Sequence, residues 1–280
     1  MNQDSAEFQY VTGQMRESFG HLLADFEQRN TRAIALPHWE LDVPYGAHAR
    51  QVMDVRPADG KALGTLVYFH AGYWQSRDKS QFRFLAPAFN AMGFDTVLVN
   101  YPLCPEVSVA SIVDSAEQAV RQVAVHQSAR GRNGPLVLCG HSAGAHLAIE
   151  LALQAAAGVG TSHLPIAGVV GISGVYDLRP LLDTSLNTRL QLDAAAAQAC
   201  SPTQRVRSGA ASALFVWGDT ETPAFHGQSQ DMARLWQLYG NAVQCSAVAH
   251  ADHFSVLEHI TATDGLVART LSSWAMAFST

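Results

Sequence analysis

The chain has 280 residues, of which 48% are apolar and 15% charged, with a formal net charge of −6. That balance fits one globular domain with a substantial core and excludes a disordered or fibrous chain. Only two lysines occur, Lys61 and Lys79, and the arginines are scattered, so the basic stripe that nucleic acid favours is missing. The acidic start lacks a basic segment followed by an apolar one, and no apolar run nears the roughly 20 residues that span a bilayer. The expectation is a soluble cytoplasmic protein, monomer or homodimer, with a small-molecule partner and neither nucleic acid nor membrane. Cys104, Cys139, Cys200 and Cys245 form no C-x-x-C pair and have no histidine-rich neighbourhood, so they read as reduced thiols with no metal.

In chain order, Met15, Phe19, Leu22 and Phe26 fall at helical spacing and predict an amphipathic helix over 14–29, within an N-terminal helical extension at 1–37. Two segments within 38–57 suit an antiparallel edge hairpin. Short apolar runs follow at 64–69, 95–99, 135–139, 166–172 and 213–217, with a weaker one at 243–248. Most are nearly continuous in apolar residues, as strands buried on both faces of a parallel sheet must be. Helix-like stretches at 108–129, 143–157 and 227–239 separate them, which gives a doubly wound, mostly parallel α/β sheet in a single domain over 1–280. No strand is evident from 174 to 208. The short helices expected there make a small cap insertion at 175–207, with an ordinary long crossover as the alternative.

The chemistry concentrates at Gly140-His141-Ser142-Ala143-Gly144, which follows one predicted strand and opens a predicted helix. Strand, tight turn and helix make the nucleophile elbow of the α/β-hydrolase fold, which presents Ser142 above the sheet. A serine nucleophile needs a base, and the base needs an orienting carboxylate, in the chain order Ser, acid, His. His253 lies just after the last strand, where this fold presents its base; His226, His250 and His259 are rivals. The acid belongs on the loop after Gly218, where Glu221 sits three residues beyond the glycine and Asp219 is the competing carboxylate. The backbone N–H groups of Gly72, Tyr73 and Ala143 are placed to form an oxyanion hole, since His70-Ala71-Gly72-Tyr73-Trp74 resembles the H-G-G-x string that supplies such donors.

These blocks resemble the serine-dependent kynurenine formamidases, or arylformamidases. The likeness runs through Leu41 to Gly46, His70 to Ser76, Cys139 to Leu147, Ser173 to Leu178, Glu221 to Ser229 and Asp252 to Phe254. It implies Ser142 as nucleophile, His253 as base and Glu221 as acid, where the family carries aspartate. It also implies hydrolysis of N-formyl-L-kynurenine to L-kynurenine and formate, a step of tryptophan catabolism that takes no cofactor. Ala71 stands where the family usually has glycine, and its Cβ would crowd the loop if φ there were positive. The zinc-dependent formamidases carry a histidine where Trp74 stands here, so their ligand string is absent. Tyr73, Trp74 and Phe254 are candidates to line an aromatic substrate pocket, with core packing as an equal alternative. A carboxylesterase or an N-acyl arylamine amidase would keep the same catalytic residues; a non-catalytic binding module would normally have lost one.

Overall fold

A computed structural model describes residues 2–278. Its strands are β1 (Glu40–Pro44), β2 (Val52–Arg56), β3 (Gly64–Phe69), β4 (Phe94–Val99), β5 (Leu136–His141), β6 (Ile166–Ile172), β7 (Ser212–Gly218) and β8 (Val243–Val248). They form one sheet in the order β1-β2-β4-β3-β5-β6-β7-β8. The β1–β2 hairpin is antiparallel and joins β4 antiparallel; every later pairing is parallel. This is the α/β-hydrolase arrangement.

The continuity of the apolar runs has a simple cause. Strands β3, β4 and β5 are buried at every position, and their residues serve two core layers by parity. Val67, Phe69, Leu138, Val169 and Phe215 face one layer, closed by the helices Val109–Ser128, Ala143–Ala156 and Pro223–Leu238. Leu66, Tyr68, Val137, Val170 and Leu214 face the other, closed by the helices Val256–Ile260 and Leu266–Phe278 and by Phe26. Strand β8 is the edge and alternates between half-buried and exposed positions, so its sequence signal is weak.

Two segments depart from the expected boundaries or gain partners that the sequence did not suggest. The N-terminal helix runs Phe19–Ile34, later than its apolar spacing suggests, and Met15 lies outside it, 64% exposed. The residues before it form a short helix, Ala6–Tyr10, and a 3-10 turn, Thr12–Gln14. Hydrogen bonds to loops beyond β6 and β7 pull them away from the helix axis. Residues 175–207 carry 3-10 turns at Arg179–Asp183 and Pro202–Gln204 and helices at Asn187–Leu190 and Ala194–Ala199. They rest on the helix Ala143–Ala156: His146 Nε2 donates to the Cys200 carbonyl at 2.7 Å, and Arg205 pairs with Glu150. No helix among the described residues is long and apolar enough to cross a membrane.

Candidate active site

The turn at Ser142 is built by exclusion of side chains around it. A Cβ on Gly140 would lie 2.1 Å from the Gly144 carbonyl oxygen, and one on Gly144 would lie 2.0 Å from that of Phe69. Real Cβ atoms do not approach so closely, so both flanking positions must be glycine for strand and helix to meet here. Ser142 itself adopts φ 56° and ψ −119°, a conformation costly for a residue with a side chain. Its N–H donates to the Ile172 carbonyl at 2.8 Å, which ties the turn to β6. The strain is therefore held by the sheet, and the hydroxyl sits at the carboxyl end of β5 above the start of the helix Ala143–Ala156.

The loops after β7 and β8 bring the other two groups together. His253 Nδ1 donates to Glu221 Oε2 at 2.8 Å. The second carboxylate oxygen, Oε1, accepts from the Gly218 N–H at 2.7 Å and from the Ser173 hydroxyl at 2.5 Å. Three donors fix the carboxylate, and the Glu221 side chain is fully buried. Asp219 is exposed; its own N–H donates to the Val248 carbonyl at 3.0 Å, which continues the β7–β8 pairing and leaves the side chain in solvent. Of the rival histidines, His226 Nε2 donates to the Gly218 carbonyl at 3.1 Å. His259 sits at the end of the helix Val256–Ile260. Among the described histidines, His253 is the one that bonds Glu221.

The imidazole of His253 is wedged between aromatic neighbours, with ring centroids 4.5 Å from Phe225, 4.8 Å from His141 and 5.2 Å from Phe254. His141 Nε2 donates to the His253 carbonyl at 2.6 Å. Burial first, and the neighbouring His253 second, hold His141 far below the usual histidine range, so it acts as a neutral donor.

The candidate oxyanion loop carries three consecutive positive φ values, 131° at Gly72, 50° at Tyr73 and 57° at Trp74. Among the described residues, the N–H groups of Gly72, Tyr73 and Ala143 donate to no protein acceptor. Gly72 and Tyr73 are half-buried, and amides left without a protein acceptor are the kind of donor that an oxyanion needs. Ala71 is not among the positive-φ residues, and its methyl is buried in the second core layer, so it does not strain the loop. His70 anchors the loop from below. Its ring stacks on Tyr101 at 4.3 Å, its carbonyl accepts from the Tyr101 hydroxyl at 2.7 Å, and burial lowers its pKa to about 4.

The aromatic residues expected around a substrate divide between roles. Trp74 is fully buried, edge-on to His146 at a centroid distance of 5.0 Å, and belongs to the core. Phe254 is half-buried and lines a cavity of about 650 Å³ between the N-terminal helix and residues 77–83. The Tyr73 hydroxyl donates to the Tyr10 carbonyl.

That last bond belongs to a clasp that leaves no trace in the pattern of residues. Thr222 Oγ1 donates to the Gln9 carbonyl at 2.6 Å, and the Ala224 N–H to Gln9 Oε1 at 2.9 Å. Gln228 Nε2 donates to the Tyr10 hydroxyl at 2.8 Å, and the Ser185 N–H to Glu7 Oε2 at 2.7 Å. Residues 7–10 thus bridge the loop at 72–74, the loop at 219–224 and the 175–207 insertion. Beneath them Ser142, Glu221 and His253 are 1%, 5% and 4% exposed. Ser173, which bonds Glu221, opens the resemblance block Ser173 to Leu178, but nothing in the sequence assigns it to the carboxylate.

Comparison with known proteins agrees with this fold. A family model described as an alpha/beta hydrolase fold matches residues 66–255. A kynurenine formamidase of Danio rerio is 30% identical over 247 residues, covering 86% of this chain and 83% of that one. One from Salmo salar is 30% identical over 279 residues, covering 94% and 93%. A crystal structure from Silicibacter sp. tm1040, described as that of a candidate thioesterase, superposes with a TM-score of 0.84 at 29% identity over 96% of this chain and 98% of that one. An esterase of Pyrobaculum calidifontis shares the fold, with a TM-score of 0.71 at 18% identity over 92% and 91%.

Proposed function

The chain belongs to the kynurenine formamidase family of α/β-hydrolases, and from that membership we propose that it hydrolyses N-formyl arylamides, N-formyl-L-kynurenine foremost, with Ser142, His253 and Glu221 as a triad. The observation that carries the triad is the bond from His253 Nδ1 to a buried carboxylate fixed by two further donors. With Nδ1 committed as a donor, the other nitrogen of neutral His253, Nε2, is left as the proton acceptor.

Ser142 Oγ then attacks the formyl carbon while His253 Nε2 takes its proton. The carbonyl oxygen gains the negative charge and is met by the free N–H groups of Tyr73, Ala143 and Gly72, which need no reorganisation to receive it. His253 hands the proton to the arylamine nitrogen as the C–N bond breaks. Water repeats the sequence on the formyl ester, releasing formate and restoring Ser142.

The burial of Ser142 favours a small acyl group. Each methylene that a tight pocket refuses is worth roughly 1–3 kcal/mol, or about 10–200-fold in kcat/KM. Purified protein should therefore cleave N-formyl-L-kynurenine with a higher kcat/KM than the N-acetyl or N-butyryl analogues, and 4-nitrophenyl acetate faster than the octanoate. Preference for the long chains would sink the formamidase reading. The runner-up, an esterase, thioesterase or N-acyl arylamine amidase with the same triad, is kept in view by the related structure described as a candidate thioesterase. A thioester included in the same panel separates it.

A further inference from the structure

The cationic side chains close to the site are nearly all bonded to protein. Arg16 donates to the Gly13 and Thr220 carbonyls at 2.7 and 2.6 Å. Arg50 donates to the Tyr101 and Arg77 carbonyls, each at 2.8 Å. Arg83 pairs with buried Asp54 at 2.7 Å. Arg77 differs: among the described residues its guanidinium has neither a hydrogen-bond acceptor nor a carboxylate partner.

Its placement is specific. The stem crosses the oxyanion loop, so that a Cβ on Gly72 would lie 2.9 Å from Arg77 Cγ. The guanidinium carbon stands 5.3 Å from the centroid of Phe254, whose ring is edge-on to His253 at 5.2 Å. The head group is thus separated from the base by one aromatic ring. It lines the cavity of about 650 Å³ that Phe254 also lines. The other charges on that cavity are Arg83, bonded to Asp54, and Glu27, which is exposed.

The backbone is held as firmly as the site itself. The Arg77 carbonyl accepts from Arg50, and Asp78 opens the following 3-10 helix with a reciprocal capping box. Arg77 sits at φ 75°, a strained value that this bracing sustains. Burial lowers the pKa of its guanidinium, and its charge reaches the buried His141 ring. A half-buried guanidinium whose N–H groups meet no acceptor is costly even beside an aromatic ring, and it gains most from a planar anion that accepts two parallel N–H bonds.

We infer that Arg77 is a specificity-determining residue, the anchor for a carboxylate carried on the leaving-group side of the substrate. This rests on the proposed hydrolase site and deepens it. The scissile carbonyl lies at Ser142, the departing ring lies toward Phe254, and the carboxylate reaches the guanidinium beyond. Arg77 here selects substrate and takes no part in proton transfer.

The test compares matched substrates with and without the carboxylate in wild type, Arg77→Gln and Arg77→Lys. One pair is N-formyl-L-kynurenine and its primary carboxamide, which keeps the formamide, the aryl ketone and the ammonium and lacks only the carboxylate. The other is 3-(2-acetoxyphenyl)propanoate and its carboxamide. In wild type the kcat/KM ratio of carboxylate to carboxamide should be about 10–100, the range of one charge-assisted hydrogen-bonded pair. Arg77→Gln should bring the ratio near one, and Arg77→Lys should restore part of it. The change should fall in KM, because the contact is the same in ground and transition states. A ratio that Arg77→Gln leaves at the wild-type value in both pairs overturns the inference, as does a wild-type ratio of one. If neither formamide is cleaved but the ester pair shows the Arg77-dependent ratio, the anchor stands and the formamidase reading falls.

Discussion

Replacing Glu221 by glutamine isolates the electrostatics of the site, because the side chain keeps its shape and loses only its symmetry. One carboxylate oxygen faces the Gly218 N–H at 2.7 Å and the Ser173 hydroxyl at 2.5 Å; the other faces His253 Nδ1 at 2.8 Å. The Gly218 N–H is a backbone donor and cannot turn away, so the amide oxygen of the glutamine must face it. The amide NH₂ then points at His253 Nδ1, which has to become an acceptor. The ring proton moves to Nε2, the nitrogen that should take the proton from Ser142. The wrong tautomer costs on the order of 10⁴ in kcat in related triads, equivalent to about 5.5 kcal/mol. The assay is kcat on 4-nitrophenyl acetate and N-formyl-L-kynurenine, with circular dichroism to show that the fold survives. Asp219→Asn, on an exposed side chain, should change kcat less than about 3-fold, as surface substitutions do. Glu221→Gln retaining activity within tenfold of wild type, or Asp219→Asn proving the more damaging, would refute the tautomer argument.

Ser142→Ala should lower kcat by several orders of magnitude with the fold intact, and a fluorophosphonate should label Ser142 alone; intact-mass and peptide mapping check both. Gly144→Ala places a Cβ 2.0 Å from the Phe69 carbonyl oxygen, so it should cost roughly 3 kcal/mol or more; a melting temperature within a degree of wild type would contradict the packing. Buried His70 and His146 have pKa values lowered from 6.5 to about 4, chiefly by burial. The unfolded chain binds their protons more readily, so this stabilisation is complete above pH 6.5 and is lost as the pH falls through about 4. His146→Gln should therefore flatten the decline of unfolding free energy over that range in urea titrations; an unchanged slope would remove His146 from the account.

Legibility in the sequence followed how locally each feature is encoded. Strands β3 to β7 announced themselves because burial on both faces demands unbroken apolar runs, whereas β8, exposed at the edge, left a faint trace. The elbow was legible because Gly140 and Gly144 are required by contacts within a few residues and by the adjacent strand. The acid was narrowed to two carboxylates by position, and what separates them is tertiary: Asp219 continues the β7–β8 pairing into solvent, while Glu221 turns back under the loop. The bond from Ser173 to Glu221 and the clasp at residues 6–14 lay beyond reach, since their partners are distant in the chain and polar residues such as Gln9 and Gln14 carry no periodic signal. Arg77 was invisible for another reason. A sequence does not distinguish a paired arginine from a free one.

The clasp has a consequence for how the enzyme comes into being. Its bonds join residues 178 and 213 positions apart, from Glu7 to Ser185 and from Gln9 to Thr222. The segment is therefore synthesised long before the residues that hold it. Several of its contacts run through backbone carbonyls, those of Gln9 and Tyr10, so what it contributes is chain path more than side-chain identity. Point substitutions at Tyr10 leave the carbonyl that receives Tyr73 in place, whereas inserting one residue between Tyr10 and Phe19 shifts the register of every bond at once. In refolding, contacts of such separation are the slow ones, and return of activity should lag return of the sheet.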